Sequence, residues 1–205
     1  MEPTRQIHPT HWVTLFLQSI LDSDAPSISL IVCSTRDSFL HKIHATAQAQ
    51  TSSPANGHQL FTPPIGLLAQ ASRIKLIFCP TLEHLRAYLT VLRAATNDAA
   101  EDTTLEQAQQ RPLLAILDLL ALHVPTSEFS AQGLSRTLAS AVEGSAREGM
   151  DLVLCECRDA TDPADGDSGE ALWYVQVPLL NSSSGRMSGQ TVPVKRIVER
   201  WFEFQ

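Results

Sequence analysis

The sequence contains no long apolar stretch and no recognisable targeting signal. Its 205 residues are 43% hydrophobic, yet no uninterrupted apolar run approaches the roughly 20 residues that a membrane-spanning helix needs. The N-terminus, Met-Glu-Pro-Thr-Arg, has neither the basic nor the apolar region of a signal peptide. These absences predict a soluble, intracellular protein with no membrane partner, and the length fits one domain with or without a tail.

Cysteine is scarce, and its placement argues against a disulfide framework. Free cysteine in apolar surroundings is usually a reduced core side chain. The Cys155-Glu156-Cys157 spacing is too short for a zinc knuckle, and no histidine follows at ligand spacing. No structural metal is therefore expected. All four cysteines lie in apolar runs or at their ends: Cys33, Cys79, Cys155 and Cys157.

Positive charge is also limited, since the formal net charge is −7. A protein of this charge does not coat nucleic acid with its whole surface, although a local basic patch remains compatible with it. The local positive bias lies between Arg186 and Gln205, with four basic and two acidic residues after a Ser/Gly-rich loop. Such a loop with flanking cations can follow a phosphate backbone. The more ordinary interpretation is a solvated helix face.

Hydrophobic patterning predicts an α/β fold with a mostly parallel sheet, because apolar strands alternate with amphipathic helices. An antiparallel edge strand is predicted at 171–180, a helix from Val194 and a final short strand at 201–204. Predicted helices cover 9–21, 34–48, 65–71, a segment from Pro80, and 130–147. The predicted strands are Ile28–Cys33, which is interpreted as central, Ile74–Cys79, Leu113–Leu117 and Leu152–Cys157.

The strand Leu113–Leu117 ends in Asp118. In nucleotide-binding α/β proteins such a carboxylate reaches a magnesium ion beside bound phosphates. That role needs a loop of the form Gly-x-x-x-x-Gly-Lys-Ser/Thr after an earlier strand. The turn after the first predicted strand reads Ser-Thr-Arg-Asp-Ser at 34–38, with no glycine between positions 25 and 50. Ser34 or Thr35 can still hold a weak anion, but a capping turn is better supported.

A second chemical interpretation uses the same carboxylate. His123 and Glu128 follow Asp118 in one loop region. Together the three groups offer the acid and base that a small α/β hydrolase needs. This hypothesis requires that they converge in one pocket.

The order of parts resembles the core of RecA-type recombinases and their paralogues, over roughly residues 26–205. An apolar strand ending in Asp118 is followed by Ser127-Glu128-Phe129, a long helix containing Leu134-Ser135-Arg136-Thr137-Leu138, and the strand beginning Leu152-Val153-Leu154-Cys155. The resemblance implies a RecA-like three-layer sandwich with an antiparallel C-terminal edge. It implies one domain at 25–205 after an N-terminal amphipathic helix in 1–24. Flexible inserts are expected near 50–64, 96–110, 158–170 and 181–190.

In the family, the residue that matches Asp118 is the Walker B aspartate. Because the phosphate loop is missing, the resemblance implies no ATPase activity, no cofactor and no metal. Small ATPase-degenerate members are similar to Shu-complex recombination mediators, which load the recombinase on single-stranded DNA. The implied partners are another RecA-like paralogue or a SWIM-type zinc protein, the recombinase and single-stranded DNA, in the nucleus. The implied DNA contacts are Arg158, Arg186, Lys195 and Arg196.

RecA-like subunits without ATPase motifs also occur in the Elongator accessory subcomplex. An Elongator-type role in transfer RNA modification is therefore an alternative to DNA repair.

Overall fold

The computed structural model describes residues 3–50, 65–94, 110–160, 168–180 and 187–204. Six described strands form one sheet, in which every paired strand runs parallel to its neighbours. They are β1 Arg5–Ile7, β2 Ile28–Val32, β3 Ile74–Phe78, β4 Leu113–Leu117, β5 Asp151–Cys155 and β8 Glu203–Phe204. The order across the sheet is β3-β2-β4-β5-β1-β8.

The strands β2 and β4 form the centre of the sheet because their side chains are almost all apolar. All five residues of β2 are buried, as are the last four of β4. Strands covered on both faces read as continuous hydrophobic runs, which is why the sequence predicted them. Their register pairs Ile28 with Leu113 and Val32 with Leu117, so the two strands end level with each other.

Helices cover both faces of this sheet. On one face α1 (Val13–Leu21) contacts α2 (Arg36–Gln50) and α3 (Ile65–Ala71). On the other, α4 (Leu82–Thr90) contacts α6 (Ala131–Arg147), which also contacts α7 (Val194–Val198). The short α5 (Leu119–His123) follows β4. Two separate apolar clusters fill the spaces on either side of the sheet. The predicted α/β three-layer architecture is confirmed.

Side-chain caps explain where α4 and α6 begin. The hydroxyl of Thr81 accepts the backbone N–H of His84 at 3.3 Å, and that of Ser130 accepts the N–H of Gly133 at 3.2 Å. Both satisfy donors that a helix start leaves unpaired. Gly133 also lies so close to the preceding loop that a Cβ would stand 2.1 Å from the carbonyl oxygen of Glu128. The start of α6 is therefore held tightly against that loop.

The antiparallel strand predicted near the C-terminal edge is present, but it pairs with an unpredicted strand in a separate two-stranded sheet of β6 (Gln176–Leu180) and β7 (Met187–Pro193). The predicted strand 171–180 is half right, because Gly169–Tyr174 is a 3₁₀ helix. That helix buries Leu172 and Trp173, adjacent residues that a strand would point to opposite faces. The final predicted strand is confirmed at Glu203–Phe204, parallel to β1.

The strand β1 was not predicted. It lies between β5 and β8, and each of its three residues pairs with β5. Residues 1–24 therefore contain a sheet strand as well as the predicted helix. That helix begins at Val13 instead of residue 9, because Trp12 is still extended, with φ −115° and ψ 129°. Most residues of the inserts predicted near 50–64, 96–110, 158–170 and 181–190 lie outside the described residues. The described ends of the last two were wrongly assigned, because 169–170 belong to the 3₁₀ helix and 187–190 to β7.

Candidate functional site

The chain changes direction in the sheet between β2 and β4. From β2 it continues to β3 on one side, and from β4 to β5 on the other. In open α/β sheets, ligands bind in the crevice beyond the carboxyl ends of the strands at such a point. This crevice lies where Cys33 follows β2 and Asp118 follows β4, and the N–H of Cys33 donates to the carbonyl of Leu117 at 3.0 Å.

Asp118 is at the predicted strand end, but its carboxylate is already paired. Its Oδ2 lies 2.6 Å from the ammonium nitrogen of Lys42 on α2. Its Oδ1 accepts the backbone N–H of Cys157 at 2.9 Å, and Lys42 also donates to the carbonyl of Cys157 at 2.9 Å. The side chains of Lys42 and Asp118 are only 13% and 9% exposed. The Lys42–Asp118 ion pair therefore closes the crevice.

The backbone at Asp118 fixes this arrangement. Asp118 adopts a left-handed conformation with φ 62°, which aspartate and asparagine tolerate better than most residues. Its N–H donates to the carbonyl of Cys155 at 2.9 Å, and its carbonyl accepts from Leu122 in α5. The turn holds the carboxylate over the end of β5 and away from solvent.

A second carboxylate, Glu156, lies beneath the same crevice and is 2% exposed. It accepts the backbone N–H groups of Leu120 at 2.6 Å and Ala121 at 3.3 Å. Burial, and then the neighbouring charge of Asp118, raise the pKa of Glu156 to about 8. Burial is the largest influence on the pKa of Lys42 and lowers it, but the charge and hydrogen bond of Asp118, with the charges of Cys157 and Glu156, together outweigh burial and raise the pKa. Lys42 is thus a charged lysine held against acidic groups.

The residues present do not fit a magnesium ion with nucleotide phosphates. Both oxygens of Asp118 are engaged, and Lys42 occupies the space before them. The first glycine in the sequence is Gly57, so the turns after β1 and β2 both lack one. Without glycine, backbone N–H groups cannot close around a phosphate in the usual way.

Ser34 and Thr35 form the turn that leads into α2. Thr35 accepts the N–H of Ser38 at 3.2 Å, and its carbonyl accepts from Ser34 at 3.2 Å and from Phe39. This is a helix-capping arrangement. The two hydroxyls are engaged within the turn, as the capping interpretation of the sequence expected.

The three residues of the hydrolase hypothesis do not form one constellation. Asp118 pairs with Lys42, whereas Glu128 pairs with Arg86 and with Arg136. His123 is fully buried and its Nε2 lies 3.1 Å from the hydroxyl of Thr137.

That hydroxyl also accepts from Arg86, so His123 and Glu128 belong to one network at the start of α6. Burial, followed by the charge of Arg86, lowers the pKa of His123 to about 4. Among the described residues, no hydrogen bond connects this network with Asp118.

The basic residues predicted to contact DNA are dispersed. Arg158 is exposed after β5, where its backbone N–H donates to His11. Lys195 lies over the rings of Tyr174 and Phe204, with 5.6 and 4.9 Å between its nitrogen and the ring centroids. Arg196 is exposed on α7, and Arg186 lies outside the described residues. The structure thus places Arg158, Lys195 and Arg196 in different surroundings.

The four cysteines are free and buried. The sulfur atoms of Cys155 and Cys157 lie 3.5 Å apart. Burial raises the pKa of Cys33, and the hydrogen bond to Cys157, together with burial, raises that of Cys155. No group of three or more histidine, cysteine or acidic side chains in the described ranges is arranged to hold a metal ion.

Sequence reasoning missed Lys42 and Glu156. Lys42 is 76 residues from its partner, and a lysine on a mixed helix carries no local signal. Glu156 did carry one, because a single acidic residue stands in the apolar run Leu-Val-Leu-Cys-Glu-Cys at 152–157. A carboxylate at such a place has to be hydrogen-bonded or protonated.

The fold and the crevice define a three-layer α/β protein with a parallel sheet and an ion pair where related architectures bind ligands. The chain belongs to the SPAC22G7.03-like family, whose model matches residues 10–204. No curated protein matches the chain significantly. Among the helices that the structure describes, none is long and apolar enough to cross a bilayer.

Proposed function

We propose that this protein is a non-catalytic RecA-like subunit of a heteromeric complex that assists homologous recombination and DNA repair in the nucleus. It pairs with another RecA-like paralogue or a SWIM-type zinc protein, and supports loading of the recombinase on single-stranded DNA. The order of elements supports this proposal, because strand β4, Asp118, α6 and β5 follow one another as in the family that the sequence resembles.

The observation that carries the proposal is the Lys42–Asp118 ion pair. It stands at the switch point of the sheet, the place where an ATPase of similar architecture would coordinate its metal. A buried ion pair whose remaining oxygen is hydrogen-bonded is costly to open, because each separated charge loses its partner. The crevice therefore acts as part of the fold, and the protein works through binding.

The non-catalytic part is tested by titrating the full chain with ATP and magnesium, using calorimetry, alongside a phosphate-release assay. We expect no saturable heat and no release above buffer. Lys42→Ala, which empties the space before Asp118, serves as the comparison variant. Saturable, magnesium-dependent ATP binding by the unaltered chain would contradict the proposal.

The partner is tested by affinity purification of the tagged full chain from cells that express it naturally. We expect a RecA-like paralogue or a SWIM-type zinc protein, with the tag alone as control. Recovery of metabolic enzymes without any recombination or RecA-like protein would refute the proposal. Recovery of Elongator subunits, with preference for structured RNA over single-stranded DNA, would support the transfer RNA alternative.

A further inference from the structure

A groove of about 980 Å³ separates the first half of α6 from α7 and the β6–β7 sheet. Three arginines line it, Arg136 from α6 and Arg196 and Arg200 from α7 and the turn after it. Glu199 is the acidic residue among the described ones in its lining. The groove is thus locally basic on a chain whose net charge is −7.

The groove arginines are available to a ligand. Arg196 and Arg200 are exposed, and neither forms an ion pair with any residue in the described ranges. Arg136 is 66% exposed and lies 3.6 Å from Glu128, whose closer partner is Arg86. Three guanidinium groups therefore remain in reach of solvent along one concave surface.

Trp201 gives the same groove a flat apolar surface. It is half-buried, and its backbone N–H donates to the carbonyl of Val198 at 2.9 Å, which fixes the turn that carries the side chain. Leu179, Val192 and Ile197 also line the groove. A guanidinium binds phosphate oxygens with paired hydrogen bonds, and an indole ring offers a stacking face for a base.

We infer that this groove binds a single-stranded nucleic acid, with Arg136, Arg196 and Arg200 on its phosphates and Trp201 against a base. The inference adds a binding site to the proposed function, and the biological role of that site rests on the proposed function. A single strand presents phosphates and unpaired base faces together, which matches cations beside an indole. A duplex hides its base faces, and an acidic peptide supplies charges without a stacking ring.

The experiment measures fluorescence anisotropy of a labelled 30-nucleotide single strand, as DNA and as RNA of the same sequence, with the full chain. About three phosphate contacts at a slope of roughly −0.7 each predict that the logarithm of affinity falls with that of salt concentration with a slope near −2. Arg196→Ala/Arg200→Ala is expected to weaken binding about tenfold and to bring the slope to about −0.7.

A control removes positive charge outside the groove. Arg93 is 79% exposed and follows the end of α4, so Arg93→Ala removes one positive charge there, against two in the double variant. We expect it to leave the affinity within about twofold. Trp201→Leu tests stacking and is expected to weaken binding while leaving the salt slope unchanged. Thermal unfolding of each variant verifies that it remains folded.

Each outcome decides the matter. Equal loss in Arg93→Ala and the double variant, or no binding at about 50 mM salt, overturns the inference. Equal affinity for duplex DNA, or displacement by poly-glutamate at equal charge, also overturns it in favour of those ligands. The DNA and RNA arms identify which single strand is preferred. If affinity purification recovers a RecA-like partner but the double variant binds the single strand normally, only the groove inference fails. If binding depends on the groove but no such partner is recovered, only the proposed function fails.

Discussion

The crevice beyond β2 and β4 and the groove beside α6 both contain charged side chains, but they use them in opposite ways. In the crevice, Lys42 lies 2.6 Å from Asp118 and is 13% exposed. In the groove, Arg136 is 66% exposed and stands 3.6 Å from a carboxylate that a closer arginine already holds. A buried ion pair is costly to break, whereas charged side chains exposed to solvent remain available to a ligand.

This difference separates where the architecture usually places a ligand from where this chain offers one. The crevice lies at the switch point, where ligands usually bind, but both oxygens of Asp118 are hydrogen-bonded within the protein. The groove is not at the switch point, yet its arginines are exposed to solvent. Position in the fold and chemistry of the side chains therefore lead to different surfaces, and the chemistry identifies the one a ligand can reach.

The largest expected effect comes from breaking the ion pair. Lys42→Met leaves the buried charge of Asp118 without its cation, so the free energy of unfolding should fall by about 3–5 kcal/mol. Urea unfolding followed by circular dichroism measures this change. Lys75→Met, an exposed lysine 5.8 Å from the Tyr88 ring, is the control and should cost less than about 1 kcal/mol.

The double variant Lys42→Met/Asp118→Asn sharpens the same test. Asparagine tolerates the left-handed backbone at position 118 and can still accept from Cys157. We expect the double variant to recover about half or more of the lost stability, because no charge remains unpaired. If the double variant instead lost the sum of the two single-variant losses, the side chains of Lys42 and Asp118 would not stabilise each other.

An effect of comparable size follows from the pKa of Glu156, which burial raises from the ordinary value of 4.5 to about 8. The folded chain then keeps a proton that the unfolded chain has released, so the stability from this group is complete below pH 4.5. It is lost as pH rises towards 8, by up to about 1.4 kcal/mol per pH unit.

Glu156→Gln removes the titrating group. The stability difference, variant minus unaltered chain, should therefore rise between pH 5 and 8 in urea unfolding. The exposed Glu143→Gln is the control. A difference that is constant with pH would show that Glu156 stays ionised in the folded state.

Thr137 tests the network of Arg86, His123 and Glu128 at the start of α6, which belongs to neither region. Thr137→Val removes the hydroxyl that bonds both Arg86 and His123, and should cost about 1–3 kcal/mol in urea unfolding. Thr137→Ser keeps the hydroxyl and should cost less. Equal losses in the two variants would indicate that packing alone matters there.

The smallest expected effect is in the groove. Glu199→Gln removes the acidic side chain beside Arg196 and Arg200, and should strengthen single-strand binding about threefold at low salt. Its stability should change by less than about 0.5 kcal/mol, because the side chain is exposed. Weaker binding after this change would place the nucleic acid elsewhere.

Much of the fold was predictable because most strands of the parallel sheet are apolar runs bounded by polar turns. The strands β2, β3, β4 and β5 all lie where those runs predicted, within two residues at their ends. The sequence of β1, Arg-Gln-Ile, is not an apolar run. It becomes a strand because it pairs with its neighbours β5 and β8. A local sequence pattern cannot predict a strand that forms only by pairing with residues far away in the sequence.

The site was less predictable for the same reason. Asp118 was found at its strand end, but its partner Lys42 comes from another helix, and the two meet only after the sheet is assembled. The groove joins Arg136 to Arg196, which are 60 positions apart in the sequence. The residue types in the sequence indicated which side chains could act in a site. Which of their charges are neutralised depends on tertiary packing, which the sequence does not display.

The place of β1 in the sheet also has a consequence for synthesis on the ribosome. Its pairing residues run from Leu152 to Leu154 on one side and from Glu203 to Phe204 on the other. Both partners of β1 therefore follow it far along the sequence, and β5 is synthesised before β8. Contacts of such long sequence separation slow folding, so during synthesis β1 has to wait for β5 before it can pair at all.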